Sequence, residues 1–334
     1  MMRLSQIREL TVQSLVIYWE LARIIIPVTI ATEVLSRMGV ITAVSPVLEP
    51  LMALFGLPPE LALAWLTGML VGIWGAIPLI FVLVPLDSLT VGDMTVMSSL
   101  LLFAHALPIE QKIIRRAGPG ILVSTILRVG GGAVFAVLLH QILAATGWLS
   151  SPLDPPWVPM SANTGWAGFL TGLAETMLWM LVILIVLFWA MEVMRRTGVM
   201  AALMRALAPV LRLAGIRGEA AQLTAVGLFL GISYGGGLLI REARSGAVPP
   251  RQVFISCVFM GFAHSVIEDT ALVMAVGADI VVVLVGRVIF AIAATALIVW
   301  ALRRVSDSTF SRWLFHDLPA PAPAAPAAGR LPGV

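Results

Sequence analysis

Charge is what this sequence has least of. Only 12% of its 334 residues are Asp, Glu, Lys or Arg, and 60% are hydrophobic; a soluble domain carries about 25% charged residues. Such a chain cannot clothe a water-facing globule, and it implies an all-α polytopic membrane protein. A single cysteine, Cys257, excludes an intramolecular disulfide. No G-x-x-x-x-G-K-[ST] loop occurs, which argues against an intrinsic ATPase or GTPase. No nucleophile stands at a useful spacing from a base, so no enzyme is expected, and nothing calls for a cofactor. The formal charge of +3 is no nucleic-acid signal, because the basic residues gather at the ends of apolar stretches.

What is there is a sequence written twice. At an offset of 159 residues, without a gap, ATEVLSRMGV (31–40) lies on AMEVMRRTGV (190–199). The same offset pairs Gly68 with Gly227, Gly72 with Gly231, His105 with His264 and Arg128 with Arg287. Over 31–73, 16 of 43 positions are identical. Shared hydrophobicity explains scattered Leu matches, but not Glu, Arg, His, Gly and Pro in register. The chain therefore divides into a first repeat (1–144), an interfacial linker (145–172) and a second repeat (173–304). A tail (305–334) follows, Pro/Ala-rich and expected to be disordered from 319.

Stretches long enough to span lie near 11–36, 60–84 and 117–144, and again near 172–194, 219–240 and 279–302. The shorter apolar pieces 94–107 and 253–267 are expected to be re-entrant, and 40–56 and 199–215 to be interfacial helices. Three spans per half make the copies inverted. With the N-terminus inside, thirteen Lys and Arg then fall on the inner side. Four, Arg37, Arg241, Arg244 and Arg251, fall outside. Four spans per half would scatter them, so the positive-inside rule selects two tandem inverted repeats with both termini cytoplasmic in a bacterial inner membrane.

Polar interruptions at membrane depth mark the candidate site. Ser233, Tyr234, Gly235, Gly236 and Gly237 interrupt the second span of the second half, where three glycines favour a helix break. Gly75 and Pro78 are the expected counterpart in the first half. Paired breaks in inverted halves are the pattern of a secondary-transporter site. In AHSVIEDT, His264 and Glu268 are four apart and share a helical face, with Asp269 rotated away. The first copy offers His105 and Glu110. Proton coupling, solute contact and a structural ring-to-carboxylate bond all stay open for this cluster. A metal site is not expected, because one His at i, i+4 falls far short of H-E-x-x-H. Arg128 and Arg287 lie deep in apolar spans and need acids: Glu110 for the first, and Glu268, Asp269 or Asp279 for the second.

The run GGLLIREARSGAVPPRQVFISCVFMGFAHSVIEDTALVMAVGADI (236–280), with I-R-E-A-x-S-G and H-S-x-I-E-D-T, resembles the nucleoside-recognition or "gate" domain family of bacterial membrane proteins. The first copy keeps the glycines and His105 but lacks the counterpart of Arg241–Glu242 and the double acid. Gate domains of ferrous-iron transporters, spore maturation membrane proteins and concentrative nucleoside transporters are more distant relatives. The resemblance implies nucleoside handling; the GTPase fused to the iron transporters has no counterpart here.

The reading that follows is a secondary transporter of a small polar solute, nucleoside-like, coupled to protons through His264 and Glu268. Lipid and the solute are the expected partners, with a second copy of the chain as a further candidate. The alternative is a membrane scaffold with a structural polar core. A carrier needs a polar cavity at mid-depth, whereas a scaffold should have that region filled and every charge paired.

Overall fold

Where no water reaches, each backbone N–H and C=O must be satisfied within the chain, so apolar runs of this length fold as helices. A computed structural model describes residues 4–158 and 165–316; the side chain of Tyr234 and the expected disordered tail from 319 lie outside the described residues. The first half holds α1 (Leu4–Arg37), α2 (Val40–Ala53), α3 (Leu61–Val71), α4 (Ile73–Leu83), α5 (Val91–Phe103), α6 (Leu107–Arg116) and α7 (Ile121–Thr146). The second holds α8 (Trp166–Arg196), α9 (Val199–Leu213), α10 (Glu219–Ser245), α11 (Pro250–Phe262), α12 (Glu268–Ala275) and α13 (Arg287–Leu302). Five stretches among the described residues are long and apolar enough to cross a membrane: Ser14–Arg37, Val91–Arg116, Ile121–Thr146, Trp166–Arg196 and Val281–Leu302. The chain is an all-α polytopic membrane protein.

Backbone turns recur at the sequence offset. Left-handed Gly39 and Gly198 (φ 74° and 78°) follow α1 and α8, and Gly56 and Gly215 (68° and 82°) follow α2 and α9. Ala106 and Ser265 share φ values of 47° and 46°. A side chain disfavours this conformation, so its recurrence 159 residues apart marks one backbone used twice.

The two ends of the bundle are defined by hydrogen bonds. At one, the Ser151 face, Val91 N donates to Ser151 O (3.1 Å), Gly92 N to Leu149 O (2.9 Å) and Leu153 N to Leu89 O (2.9 Å). At the other, the Leu314 face, Gly120 N donates to Leu314 O (2.9 Å) and His316 N to Gly118 O (2.8 Å). The pair α5–α6 starts at the Ser151 face and ends at the Leu314 face. The pair α11–α12 runs the opposite way: Arg251 donates to Leu302 O (2.9 Å) and Val305 O (2.7 Å), and Ala275 O accepts from Trp157 N (3.0 Å). Both pairs are broken crossings, antiparallel to each other.

The sequence expectation for which pieces turn back is reversed. The apolar stretch 60–84, long enough to span, is a hairpin. A Cβ on Gly68 would stand 3.3 Å from Ala76 Cβ, whereas eight residues along a straight helix separate by about 12 Å. The turn is Gly72, at φ 123° and ψ 172°, a conformation open to glycine. Gly231 holds the matching position in α10, at φ 81° and ψ 166°. There Arg217 N donates to Gln252 Oε1 (3.0 Å) just before α10 begins, and α10 ends at Ser245, seven residues short of Gln252. Seven residues reach at most about 25 Å, less than the roughly 40 Å of a straight 27-residue helix. Hence α10 also doubles back, and the pieces expected to be re-entrant, 94–107 and 253–267, lie in the crossings.

The exchange moves Arg241, Arg244 and Arg251 to the Leu314 face. They join Lys112, Arg115 and Arg116, Arg195 to Arg217, and Arg303 to Arg312. Arg37, whose guanidinium lies 4.7 Å from the Trp166 ring, is alone on the other face among the described cations at helix ends. The charge asymmetry is sharper than the sequence count of thirteen to four.

Candidate functional site

Both crossings break at mid-depth, and the repeated His and Arg cap the broken ends. A helix end leaves carbonyl oxygens without intrahelical donors. In the first half His105 Nδ1 lies 2.9 Å from Leu101 O, and Arg128 Nε donates to Phe103 O at 3.0 Å. In the second, His264 Nδ1 lies 2.7 Å from Met260 O, and Arg287 Nε donates to Phe262 O at 2.9 Å. Each position is its counterpart shifted by 159. The two imidazoles face each other, with centroids 4.8 Å apart and Nε2 atoms 3.2 Å apart. His264 is fully buried and His105 nearly so.

The acids part company. Glu110 Oε2 accepts from Arg128 Nη1 at 2.7 Å and lies 3.4 Å from His264 Nε2, while its Oε1 lies 3.8 Å from His105 Nε2. The Arg128–Glu110 pairing read from sequence is present. The counterpart acid, Asp269, is one methylene shorter. Its Oδ2 lies 3.6 Å from His105 Nε2 and has no hydrogen-bond partner among the described residues. Among the described residues no carboxylate comes within ion-pair distance of Arg287: Nη2 donates to Leu102 O (2.7 Å), Nη1 has no hydrogen-bond partner, and the guanidinium lies 5.9 Å from the Phe103 ring.

Around these groups lies a cavity of about 180 Å³ reached by His105, Glu110, Ser233, Ser265, Glu268 and Asp269, with Gly72 and Trp74 in its wall. Ser233 Oγ donates to Glu110 Oε1 at 3.4 Å. Glu268 lines the cavity, but the break at 263–267 separates it from α11, so the helical face expected to unite it with His264 does not form. The partners of His264 are His105 and Glu110 instead. Tyr234 sits in α10 beyond the turn.

The triple glycine does not break the helix, because Gly231 already turns the chain. Gly235 and Gly236 are buried, and a Cβ on Gly236 would stand 2.7 Å from Ile113 Cγ2 of α6. They are a packing seam. In the first half Gly72, rather than Gly75 or Pro78, is the break. Arg241 and Glu242 pair with each other at 3.5 Å near the end of α10, and none of their described bonds reaches the centre.

Sequence reasoning missed the facing histidines and the ligand-like grouping they create. Nitrogen atoms of His105 and His264 and a carboxylate oxygen of Asp269 lie within 4.8 Å of one another. No short spacing could announce residues so far apart in the chain. The available signal was the repeat itself, since identical residues near a two-fold axis approach each other.

Two copies of one helical pattern meeting at a shared polar centre define an all-α polytopic membrane protein with a buried polar site between its halves. Residues 18–119 and 177–279 match the Gate family, described as nucleoside recognition, and the chain belongs to that family. The matched segments begin 159 residues apart (177 minus 18), the offset of the repeat. The chain is also 26% identical over 302 residues to a Bacillus subtilis protein described as "Uncharacterized membrane protein YvoD", covering 88% of this chain and 94% of that one. No solved structure matches it.

Proposed function

We propose that the protein is a secondary carrier of a small polar solute in a bacterial cytoplasmic membrane, with the Leu314 face and both termini in the cytoplasm. The observation that carries this is the central cavity. Two hairpin turns and two broken crossings meet there; Asp269 Oδ2 in its wall and Arg287 Nη1 outside its lining have no hydrogen-bond partner among the described residues. A structural core would have these groups paired. The concentration of cations on one face supports the orientation. The family description supports a nucleoside-like solute. At about 180 Å³ the cavity is below the roughly 300–1,000 Å³ of drug-sized ligand sites, so a whole nucleoside enters with movement of the hairpin arms.

Coupling, in this reading, runs through His105, His264 and Glu110 rather than through His264 and Glu268. The test is counterflow in proteoliposomes over labelled nucleosides, nucleobases and smaller polar solutes, with and without a pH gradient. Saturable exchange is expected for at least one member and is lost in Glu110→Gln. Absence of exchange for every member favours the scaffold.

A further inference from the structure

We propose that His105, His264 and Asp269 bind a divalent first-row transition-metal ion, with Glu110 at the edge of the coordination sphere. The inference rests on the central cavity being a site and is independent of transport.

The tautomers carry the first step. Each Nδ1 is within hydrogen-bond distance of a backbone carbonyl, 2.9 Å for His105 and 2.7 Å for His264. A carbonyl oxygen only accepts, so each Nδ1 bears the hydrogen. In the neutral rings both Nε2 atoms then present lone pairs to each other across 3.2 Å. Two lone pairs at that distance repel unless a cation lies between them. Ring Nδ1–H donated to a carbonyl is also the arrangement that fixes a metal-ligating histidine.

The spacing fits such an ion. Ligands about 2.0–2.1 Å from a tetrahedral centre are about 3.3 Å from one another. The separations here are 3.2 Å between the Nε2 atoms and 3.6 Å from His105 Nε2 to Asp269 Oδ2, and the His264–Asp269 edge lies within 4.8 Å, so the second carboxylate draws in by up to about 1.5 Å when the ion binds; Glu110 Oε2 stands 3.4 Å from His264 Nε2 at the edge of the group. Asp269 Oδ2 is buried and without a hydrogen-bond partner, so its lone pairs are uncommitted. Two imidazoles with carboxylate oxygens select zinc, manganese, iron or cobalt over magnesium or calcium, which prefer oxygen alone. Three protein ligands leave a fourth position toward the cavity, as in sites whose metal exchanges or takes a further ligand.

The test uses full-length protein in detergent, stripped with a chelator and titrated with cobalt(II). One equivalent should develop the intense visible bands of a four-coordinate site, and zinc should remove them. His105→Gln and Asp269→Asn should each weaken binding at least tenfold, while Arg241→Gln leaves it unchanged. Melting of the metal-free variants shows that they remain folded. A second arm measures the metal-dependent rise in melting temperature for wild type and each variant. Absent bands with no zinc-dependent change in melting would overturn the proposal and leave a shared proton as the cation. Binding undiminished by both ligand substitutions would overturn it too. Metal binding without counterflow sinks the carrier alone, and counterflow without metal binding sinks the metal site alone.

Discussion

The two halves place Arg, His and broken helix alike, yet their acids do different things. In the first half Glu110 reaches Arg128 at 2.7 Å and forms a buried ion pair. In the second, Asp269 falls a methylene short of that role, and Arg287 rests on the carbonyls of Phe262 and Leu102. The difference teaches that the duplicated backbone settles where the chemistry is, and side-chain length settles which groups are left free for it. The first half is locked; the second offers an uncommitted carboxylate.

The sharpest way to break the comparison is to test the inversion on which it stands. In a Cys257→Ser background, Ser88→Cys and Ala247→Cys sit on exposed loops that follow the first and second hairpins. A membrane-impermeant thiol reagent should label them from opposite sides, with Ser151→Cys labelled like Ser88→Cys. Labelling of Ser88→Cys and Ala247→Cys from one side would end the inverted arrangement.

Next in size is the contrast between the arginines. Arg128→Met leaves Glu110 buried without its cation, a loss of about 3–5 kcal/mol. Arg287→Met removes hydrogen bonds to carbonyls and no ion pair, a loss of about 1–3 kcal/mol. Denaturant unfolding in detergent should rank them in that order. Equal losses would mean that Asp269 holds Arg287 as firmly as Glu110 holds Arg128.

The smallest effect is the most discriminating. Asp269→Glu restores the missing methylene and should let the acid reach Arg287, raising stability by about 1 kcal/mol, within the range of a charge-assisted hydrogen bond net of some strain. The gain should vanish when Arg287→Met is added, and cobalt affinity should fall as the carboxylate is drawn away. A stability loss in Asp269→Glu that persists with Arg287→Met would show that space, and not reach, keeps the acid short.

Much of this was legible in the sequence. The 159-residue offset pointed to paired halves, the buried arginines demanded partners, and Glu110 was the right partner for Arg128. What failed did so for identifiable reasons. Hydropathy measures length, and 60–84 is as long as a span; two 11-residue helices lying side by side look the same to it. The triple glycine looked like a break because composition does not register that Gly236 faces Ile113 closely. Helical spacing joined His264 to Glu268 across a segment that is not helical. Arg287 has no carboxylate within ion-pair distance among the described residues, and periodicity does not report how far an acid reaches.

The cations of the Leu314 face have a consequence for the chain as a text. Arg205, Arg212, Arg217, Arg241, Arg244 and Arg251 correspond, at the repeat offset, to Pro46, Ala53, Pro58, Val82, Pro85 and Gly92. In the other direction, Lys112, Arg115 and Arg116 correspond to Ala271, Met274 and Ala275. Apart from the matched Arg37 and Arg196, each copy is basic at the end the other leaves neutral. The halves share a backbone but are not interchangeable: a protein assembled from two second halves would present arginines on both faces and hold no preferred direction in a bilayer. Orientation is thus written in residues the two copies refuse to share.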